Sequence, residues 1–494
     1  MDQSLIDEVR AAREAALDPA RPEAVAAQHA AGRLTARERI AALCDSGSFV
    51  EYGVQTQSHI NRSDGPADGV VCGVGRLDGQ PVVVCSYDFT VANGTQSNIN
   101  LGKVERLMML SVTHGWPFVC FADGEGHRPD ESQAHAGLWA GGQTPIGVFD
   151  GLAELSGWAP AVAILSGTAL DGHAGILMCS ECAFATAGSV VGLGETRLPV
   201  EEHERMGDID HVFPDELAAI EATRKYLSYL LYDEPSGVPS PDAANIRAIV
   251  PDNRKRAYNM RRVIDALADE DSVFELRPNW GTSMITALAR MDGRAVGIFG
   301  NQPMSRLAGA IDPDAADKMA RFIELCDAYH LPLISLIDSP GFHIGPEAER
   351  AGIARHHVRT LSAVENRSVP LYCLQIRKSY GLGPLVMRGS GGNLPPELRL
   401  AWPTVETGGM SLEGAAYLVK RNEIQAAATP EEARKIRDDY ANTLREKNSG
   451  IEAGRSFSFD EVIDPAETRD RIIAMLKMTP RPPKTARSKY IDTI

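Results

Sequence analysis

The two halves of this chain repeat each other, and the repeat limits the possible folds more than any other feature of the sequence. The segment KVERLMMLSVTHGWPFVCFAD, which begins at Lys103, matches KMARFIELCDAYHLPLISLID, which begins at Lys318. Four identical pairs are each 215 positions apart, as in 338 − 123 = 215: Lys103 and Lys318, Arg106 and Arg321, Pro117 and Pro332, Asp123 and Asp338. A shorter match joins RLDGQPV around Asp78 to RMDGRAV around Asp292. The chain is therefore predicted to be a duplicated α/β domain.

Length and composition agree with two domains. The chain has 494 residues, of which 44% are hydrophobic, enough to fill two sizeable cores. Its formal net charge of −16 argues against nucleic acid or an anionic membrane surface as the main partner. The sequence opens with no basic-then-apolar signal segment and contains no apolar run long enough to span a membrane. We therefore expect a cytoplasmic protein.

The eight cysteines do not have the spacing of a disulfide framework. Most lie inside apolar runs and are expected to be reduced core thiols. Cys179 and Cys182 form one C-x-x-C motif, but a structural zinc site would need a second pair, and the sequence has none. No bound metal is expected.

Strands and helices alternate along both halves, which predicts an α/β fold with largely parallel sheets and helices outside them. A helical segment is expected over residues 1 to about 45, with Thr35 and Glu38 forming a capping box. The predicted strands are 70–76, 81–88, 117–122 and 160–166 in the first half, and 285–291, 295–300, 333–338 and 371–376 in the second. The predicted helices are 100–114, one from Asp130, one after Gly172, 431–447 and 465–477.

The stretch DEPSGVPSPD, residues 233–242, has the proline, glycine and serine density of a linker. We place the domain boundary within it. The predicted domains are 1–236 and 237–494.

Four glycine-containing loops follow predicted strands, two in each half. They are DGEGHR (123–128), SGTALDGHAG (166–175), DSPGFHIG (338–345) and RKSYGLG (377–383). In parallel sheets, ligands bind where such loops leave the carboxyl ends of strands. Glycine allows the backbone to approach a ligand and direct N–H groups at it, and the start of a following helix adds partial positive charge. Paired N–H donors of this kind suit an enolate or thioester oxygen.

A resemblance covering nearly the whole chain follows from several ordered segments. They are GRLTARERIAALCDSGSFVE (32–51), DGVVCGVGRLDGQPVVVCSYDFTV (68–91), IVPDN (249–253), NQPM (301–304), DKMARFIELCDAYHLPLISLIDSPGF (317–342), VPLYCLQIRKSYG (369–381), AWPTVE (401–406) and DEVIDPAETR (460–469). With these segments the chain resembles the carboxyltransferase (β) subunits of biotin-dependent acyl-CoA carboxylases, such as the propionyl-CoA and acetyl-CoA types. The resemblance implies two tandem crotonase-type (ββα-superhelix) domains. It also implies a homohexamer whose active sites form between the first domain of one subunit and the second domain of another.

The resemblance further implies a reaction: CO2 released from carboxybiotin is transferred to the α carbon of an acyl-CoA. Two backbone oxyanion holes would stabilise the developing charge. The thioester hole would lie in the first domain, at Asp171, Gly172 and His173, with help from Gly126. The biotin hole would lie in the second domain, at Gly341, Phe342, Leu382 and Gly383. Leu385 lies near the position that tunes acyl size in the family and gives weak support for an aliphatic acyl chain.

Biotin is not expected to be attached to this chain. The nearest match to the A-M-K-M attachment motif is AMLKM at 474–478, which has an extra residue and falls within a predicted amphipathic helix. The resemblance therefore implies that the biotin arrives on a separate carrier subunit. A separate biotin carboxylase is implied as a second partner.

The loops depart from the family pattern at several positions. The family's D-S-G-G-A is here Asp123-Gly124-Glu125-Gly126-His127, and its C-A-G-G-A is Ala169-Leu170-Asp171-Gly172-His173. The family's Y-G-G-A-Y is here YGLGP (380–384), and its E-E-L-G-G-A stretch is missing around 201–206.

Two interpretations of the new acids and histidines are open. In one, the side chains of Glu125, His127, Asp171 and His173 turn away from the pocket while their N–H groups keep the hole. In the other, the side chains enter the pocket as general acids or bases, joined by His343.

The second interpretation opens alternative functions. The chain would be an acyl-CoA decarboxylase, or a biotin-independent crotonase-fold enzyme that uses Asp171 and His173. A third alternative is a non-catalytic scaffold paralogue. The retained glycines at 172, 341, 381 and 383 argue against the scaffold, because loss of function erodes such loops.

Overall fold

A computed structural model describes residues 2–58, 65–129, 147–389, 394–484 and 490–492 of the chain. The chain forms two compact units. The first comprises Met1–Ser228 together with Ala486–Thr493, and the second comprises Tyr229–Thr485 with Ile494.

The first unit begins with helices. Thr35 caps helix α3 and forms the predicted capping box with Glu38. The helices of this unit are α1 (Gln3–Glu14), α2 (Pro22–Ala30), α3 (Ala36–Leu43), α4 (Asn98–His114), α5 (Val148–Leu155), α6 (Gly172–Cys179), α7 (Val200–Met206) and α8 (Glu216–Leu231), the last of which runs across the unit boundary. The strands are β1 (Val50–Tyr52), β2 (Val70–Leu77), β3 (Gln80–Tyr87), β4 (Phe118–Phe121), β5 (Gly124–Glu125), β6 (Ala161–Leu165), β7 (Thr168–Leu170), β8 (Cys182–Thr186), β9 (Val190–Leu193), β10 (Thr196–Pro199) and β11 (His211–Phe213).

The second unit repeats this plan and adds helices after its sheet. Its helices are α9 (Ile246–Ile249), α10 (Met260–Leu267), α11 (Pro313–Ala328), α12 (Pro346–Arg350), α13 (Ile353–Glu365), α14 (Leu382–Arg388), α15 (Leu412–Val419), α16 (Arg421–Ala426), α17 (Pro430–Lys447), α18 (Gly450–Arg455) and α19 (Thr468–Met478). Its strands are β12 (Phe274–Leu276), β13 (Met284–Met291), β14 (Arg294–Asn301), β15 (Leu333–Ser339), β16 (Leu371–Tyr380), β17 (Leu398–Ala401), β18 (Glu406–Gly408) and β19 (Glu461–Val462).

Both units are built on a mixed sheet with the same central order. In the first, the order is β1-β2-β3-β4-β6-β8-β11, and in the second it is β12-β13-β14-β15-β16-β17-β19, with β18 paired to β16. Each sheet starts with an antiparallel hairpin and continues as parallel strands. The predicted α/β class with largely parallel sheets is therefore confirmed. A four-stranded sheet, β10-β9-β7-β5, lies beside the first sheet and was not predicted, because its strands are only two to four residues long.

The matched lysines of the repeat have the same role in the two units. Lys103 of α4 is buried and donates from Nζ to the carbonyls of Ala67 (2.7 Å) and Val70 (2.6 Å). Lys318 of α11 is also buried and donates to the carbonyls of Arg277, Trp280 and Met284 at 2.7, 3.0 and 2.9 Å. In each unit the lysine thus joins the first long helix to the backbone that leads into the first long strand. The repeat seen in the sequence extends to this contact.

The second compact unit begins at Tyr229, ahead of the linker-like stretch 233–242 in which we place the domain boundary. Residues 229–236 belong to the second unit, where Asp233 accepts from the N–H of Ala295 (2.9 Å) and Glu234 donates its N–H to Gly293 (2.9 Å). The end of the chain returns to the first unit, where buried Ile491 donates its N–H to Ser156 Oγ at 2.9 Å. Polar linker composition did not reveal these contacts, because each partner is distant in sequence.

The predicted helix from Asp130 lies outside the described residues. Of the cysteines, Cys72, Cys85, Cys120, Cys326 and Cys373 are buried free thiols. Cys179 is exposed and Cys182 is buried at the start of β8.

Candidate active site

The two glycine loops of the first unit run side by side. Strand β5 pairs in parallel with β7, so that Gly124 faces Ala169 and Glu125 faces Leu170. One residue further on, Gly126 meets Asp171: a Cβ atom on Gly126 would lie 2.7 Å from Asp171 Oδ2. Gly126 also has a φ of +79°, which a residue with a side chain adopts only with strain. This position therefore requires glycine.

Asp171 ties the tip of its loop to a neighbouring hairpin. Its Oδ1 accepts from the N–H of Gly194 at 2.8 Å, and its own N–H donates to the carbonyl of Gly192 at 3.1 Å. The residue is exposed, with a φ of +48°. The N–H of Asp171 is thus directed at Gly192. The next two N–H groups, those of Gly172 and His173, begin helix α6, and the first N–H groups of a helix have no acceptor within it.

The side chain of His173 lies in the interior of the unit. The residue is 0% exposed, and its ring meets the Tyr87 ring edge-on with 4.5 Å between centroids. A Cβ atom on Gly124 would lie 2.4 Å from the ring. Among the described residues, neither ring nitrogen has a partner in hydrogen-bond geometry. Burial lowers the pKa of His173 to about 3, although the carbonyls of Leu170 and Gly94 act in the opposite direction. The imidazole is therefore neutral near pH 7 and shielded from solvent.

The other two unusual side chains of this unit lie nearer the surface. Glu125 is half-buried, and its Oε2 accepts from Asn93 Nδ2 at 3.1 Å. His127 is exposed, and partial burial lowers its pKa while the charge of Asp171 acts against that shift. Of the four candidate acid–base residues in this unit, His173 is thus the one withdrawn from solvent.

Gln96 belongs to this site and was missed in the sequence. Its N–H donates to the carbonyl of Gly126 (2.8 Å), and its carbonyl accepts from the N–H of Arg128 (2.7 Å). Its side chain lies against Gly172, where a Cβ atom would come within 2.1 Å of Gln96 Oε1. The sequence contained one clue to Gln96, because it closely follows the turn residues Asn93 and Gly94, which come after β3. The carboxyl ends of neighbouring parallel strands lie at one edge of a sheet, so a turn after β3 could be expected near the loop after β4.

The loops of the second unit meet at two glycines. A Cβ atom on Gly383 would lie 3.0 Å from both the Cα and the carbonyl carbon of Gly341. Gly341 has a φ of +112° and donates its N–H to Ser339 Oγ at 3.1 Å. The N–H groups of Leu382 and Gly383 begin helix α14 and have no acceptor within it. The two donors therefore lie at the start of α14, beside the Gly341 loop.

Three further predicted site residues surround this point. Phe342 is half-buried, and its ring centroid lies 4.2 Å from that of His357. His343 is half-buried and donates its N–H to the carbonyl of Ile311 at 2.8 Å. Leu382 has 55% of its surface exposed, whereas Leu385, one turn later, is half-buried.

Glu406 contacts three side chains near the start of the second-unit loop. Its Oε2 accepts from the Tyr380 hydroxyl at 2.7 Å, and its Oε1 accepts from Arg445 Nε at 3.2 Å and also pairs with Arg254. Tyr380 directly precedes Gly381, so the network fixes the start of the loop. From the sequence, Glu406 could be identified only as part of the matched segment AWPTVE. A matched segment does not show which of its residues makes the contacts.

The two units share one arrangement of backbone hydrogen-bond donors. Two adjacent N–H groups open a helix at the end of a parallel strand, beside a glycine with positive φ. Such donors stabilise negative charge on an oxygen, and the partial positive charge of the helix start adds to the effect. Among the described residues, no group of three His, Cys, Asp or Glu side chains is placed to hold a metal ion. In the same part of the chain, each helix is too short or too polar to cross a bilayer.

Residues 27–489 match the carboxyl transferase domain family. The carboxyltransferase subunit of propionyl-CoA carboxylase from Haloferax mediterranei is 32% identical over 507 residues, covering 96% of this chain and 95% of that protein. The methylmalonyl-CoA decarboxylase subunit alpha of Propionigenium modestum is 32% identical over 477 residues, covering 91% of each. Among solved structures, the transcarboxylase 12S hexamer with methylmalonyl-coenzyme A and methylmalonic acid bound aligns with a TM-score of 0.84 and 30% identity, covering 99% of this chain and 98% of that chain.

Proposed function

The chain belongs to the carboxyl transferase family, and from this premise we propose that it transfers CO2 from carboxybiotin to the α carbon of an acyl-CoA. One structural observation carries the proposal: each unit has its own pair of helix-opening N–H donors beside a glycine. The reaction needs two such sites, since negative charge develops both on the thioester oxygen of the acyl-CoA and on the ureido oxygen of biotin.

In the first unit, the N–H groups of Gly172 and His173 would stabilise the enolate. Gly126 and Asp171 keep that turn in place, and buried His173 adds no titrating group to it. A preorganised pair of donors is worth about 3 kcal/mol per donor to such a transition state. The work of this unit is thus to bind the thioester, orient it and stabilise charge.

The second unit fits the ureido group of biotin. Gly383 packs against the backbone of Gly341, so the N–H groups that open α14 lie beside the Gly341 loop with no side chain between them. When bound, carboxybiotin supplies CO2 and a ureido nitrogen that takes the α-proton. The N–H groups of Leu382 and Gly383 would hold the ureido oxygen, and Phe342 would form an apolar wall beside it.

Two partners follow from this function. The biotin would arrive on a separate carrier subunit, and a separate biotin carboxylase would load it. A homohexamer is also proposed, and the hexameric 12S relative supports it. Leu385 gives weak support for an aliphatic acyl group.

The decarboxylating direction is a second candidate. The Propionigenium modestum relative, a methylmalonyl-CoA decarboxylase subunit, favours it. The same two sites would serve both directions, because a catalyst that stabilises the enolate accelerates its formation by either route.

A panel assay tests the proposal. The purified chain is given acetyl-, propionyl-, butyryl-, methylcrotonyl- and malonyl-type CoA thioesters, each with and without a biotin carboxylase–carrier pair, ATP and labelled bicarbonate. Acid-stable label in the complete mixture alone is the expected result, and the thioester that gains it is the substrate. Turnover without the carrier would instead identify a biotin-independent enzyme, and no turnover with intact oligomers would identify a scaffold.

A further inference from the structure

The two aspartates of the repeat make the same backbone contact. Asp123 Oδ1 accepts from the N–H of Ser166 at 3.2 Å, and Asp338 Oδ1 accepts from the N–H of Lys378 at 3.1 Å. In each unit the aspartate begins the first glycine loop, and the donor lies at the start of the second. One hydrogen bond therefore joins the two loops at their base.

In both units the strand pairing shifts by two residues at the aspartate and continues beyond it: Phe121 faces Ile164 before the shift in the first unit, and Ile337 faces Gln375 before the shift in the second. In the first unit, Gly124 faces Ala169, and the loops then meet at Gly126 and Asp171. In the second, Ser339 faces Ser379, and the loops meet at Gly341 and Gly383. A slip of one residue would change every facing pair. The hydrogen bond that the aspartate accepts therefore helps to decide which residues of the two loops meet at the site.

Both carboxylates are 0% exposed and need a countercharge. In the second unit it comes from the same strand as the donor: Arg377 Nε lies 3.2 Å from Asp338 Oδ2. In the first unit the residue before the donor is the apolar Leu165. The cation comes instead from Arg39 of helix α3, whose Nη2 lies 2.6 Å from Asp123 Oδ2.

Arg39 is itself fully buried and held in place. It donates to Glu216 Oε1 from Nε at 3.0 Å and from Nη2 at 2.6 Å. We propose that Arg39 is a positioning residue for the acyl-CoA site: it neutralises Asp123 so that this carboxylate holds the Ser166 N–H and keeps the two loops in register. Helix α3, which lies outside the repeated segments, is on this account a functional part of the first-unit site. The inference rests on the proposed function.

Four variants of the full chain test the proposal: Arg39→Met, Arg39→Lys, Asp123→Asn and the Arg39→Met/Asp123→Asn double variant. Arg39→Met leaves Asp123 and Glu216 as uncompensated buried charges, so the Asp123 carboxylate rotates away or takes up a proton, and the loop shifts. A misplacement of about 1 Å can cost on the order of 100-fold in rate. We expect kcat for acyl-CoA carboxylation to fall roughly 10- to 100-fold, with a smaller change in KM. Arg39→Lys keeps the charge and should be intermediate.

The double variant separates a positioning role from general damage. The amide oxygen introduced by Asp123→Asn would still accept the Ser166 N–H, but the amide would carry no charge that needs Arg39. The double variant should therefore be several-fold more active than Arg39→Met alone, although each single change lowers activity. A double variant whose loss equals the product of the two single losses would overturn the proposal.

Arg37→Met is the matched control. Arg37 lies on the same helix and pairs with Glu51 at 3.0 Å, away from both loops. We expect its kcat to stay within about twofold of the wild type. An Arg39→Met variant that behaves like this control would also overturn the proposal.

A second measurement needs neither partners nor turnover. Hydrogen–deuterium exchange of the peptide spanning 160–172 should be faster in Arg39→Met and restored toward the wild-type rate in the double variant. If the wild-type chain carboxylates nothing, the proposed function fails, and the exchange data still decide whether Arg39 holds the loops. If Arg39→Met does not fold, Arg39→Lys is measured in the same two ways. Unchanged exchange and kcat in Arg39→Lys would then contradict the proposal.

Discussion

Gly383 lies against Gly341 so closely that a Cβ atom on residue 383 would be 3.0 Å from the Cα atom of Gly341. The contact joins the start of α14 to the loop after β15, so the two N–H donors of the second unit depend on it. The Gly341 atoms in this contact belong to the backbone, which moves less readily than the end of a flexible side chain.

Gly383→Ala should therefore lower carboxylation more than it lowers stability. The methyl group pushes α14 away from Gly341 and misdirects the donors at Leu382 and Gly383. Loss of one oxyanion donor costs on the order of 100-fold in kcat, and a comparable loss is expected here. Gly409→Ala is the control, since nothing lies within 4 Å of its Cβ position. Equal kcat values for the two variants would show that the contact is unimportant.

Substitutions at Asp171 separate a structural side chain from a general acid or base. Asp171→Asn keeps an oxygen that accepts the Gly194 N–H and should retain activity within a few-fold. Asp171→Ala removes that acceptor and should lose on the order of 10-fold or more, since a small misplacement of the turn is costly. Steady-state kcat and KM distinguish the two cases. If Asp171→Asn were as inactive as Asp171→Ala, the carboxylate itself would be taking part in the chemistry.

The neutral, buried imidazole of His173 should make the fold sensitive to acid. Burial lowers its pKa to about 3 in the folded state, whereas the unfolded side chain titrates near its ordinary value of 6.5. Above pH 6.5 both states are neutral. As the pH falls from 6.5 towards 3, only the unfolded state gains the proton, so stability is lost across that range.

In His173→Leu this loss should be absent. The slope of unfolding free energy against pH should then be shallower than in the wild type by up to about 1.4 kcal/mol per pH unit. Denaturant unfolding at several pH values between 6.5 and 4 measures both slopes. Parallel slopes would mean that the ring is protonated in the folded protein.

The matched lysines should be needed for stability. Lys318→Met leaves the buried carbonyls of Arg277, Trp280 and Met284 without their donor, and each such group costs about 1–3 kcal/mol. We expect a destabilisation of at least about 3 kcal/mol, and a similar effect for Lys103→Met in the first unit. Lys420→Met, at a surface pair with Glu423, should change stability by less than about 0.5 kcal/mol. The midpoint of urea unfolding measures the change in stability of all three variants.

The sequence was sufficient to predict the main strands because each is an apolar run bounded by turn residues. The strand predicted at 285–291 extends from Met284 to Met291. Strand β16 is longer than predicted and continues to Tyr380, because polar residues near its end are buried with partners. Arg377 pairs with Asp338, and Ser379 donates to Gln375 at 2.6 Å. An apolar pattern cannot reveal such polar burial.

The glycines of the site could be found from the sequence, but the directions of the side chains could not. In the sequence, His173 follows Gly172 in a predicted glycine loop and could have faced either way. Its burial depends on Tyr87 and Gly124, which are distant in sequence. Arg39 presents the same difficulty, since the local pattern around it predicts only a capped helix. Its partners Asp123 and Glu216 lie 84 (123 − 39) and 177 residues further along the chain.

A single-turnover transfer tests the central claim most directly. A biotin carrier loaded with labelled CO2 is freed of ATP, bicarbonate and biotin carboxylase, then mixed with the chain and the acyl-CoA selected by the panel assay. We predict that label moves from the carrier to the acyl-CoA, and that Gly383→Ala slows the transfer while Gly409→Ala does not. Label that stays on the carrier, or an acyl-CoA that is consumed without gaining label, would contradict the assignment of the chain as a carboxyltransferase.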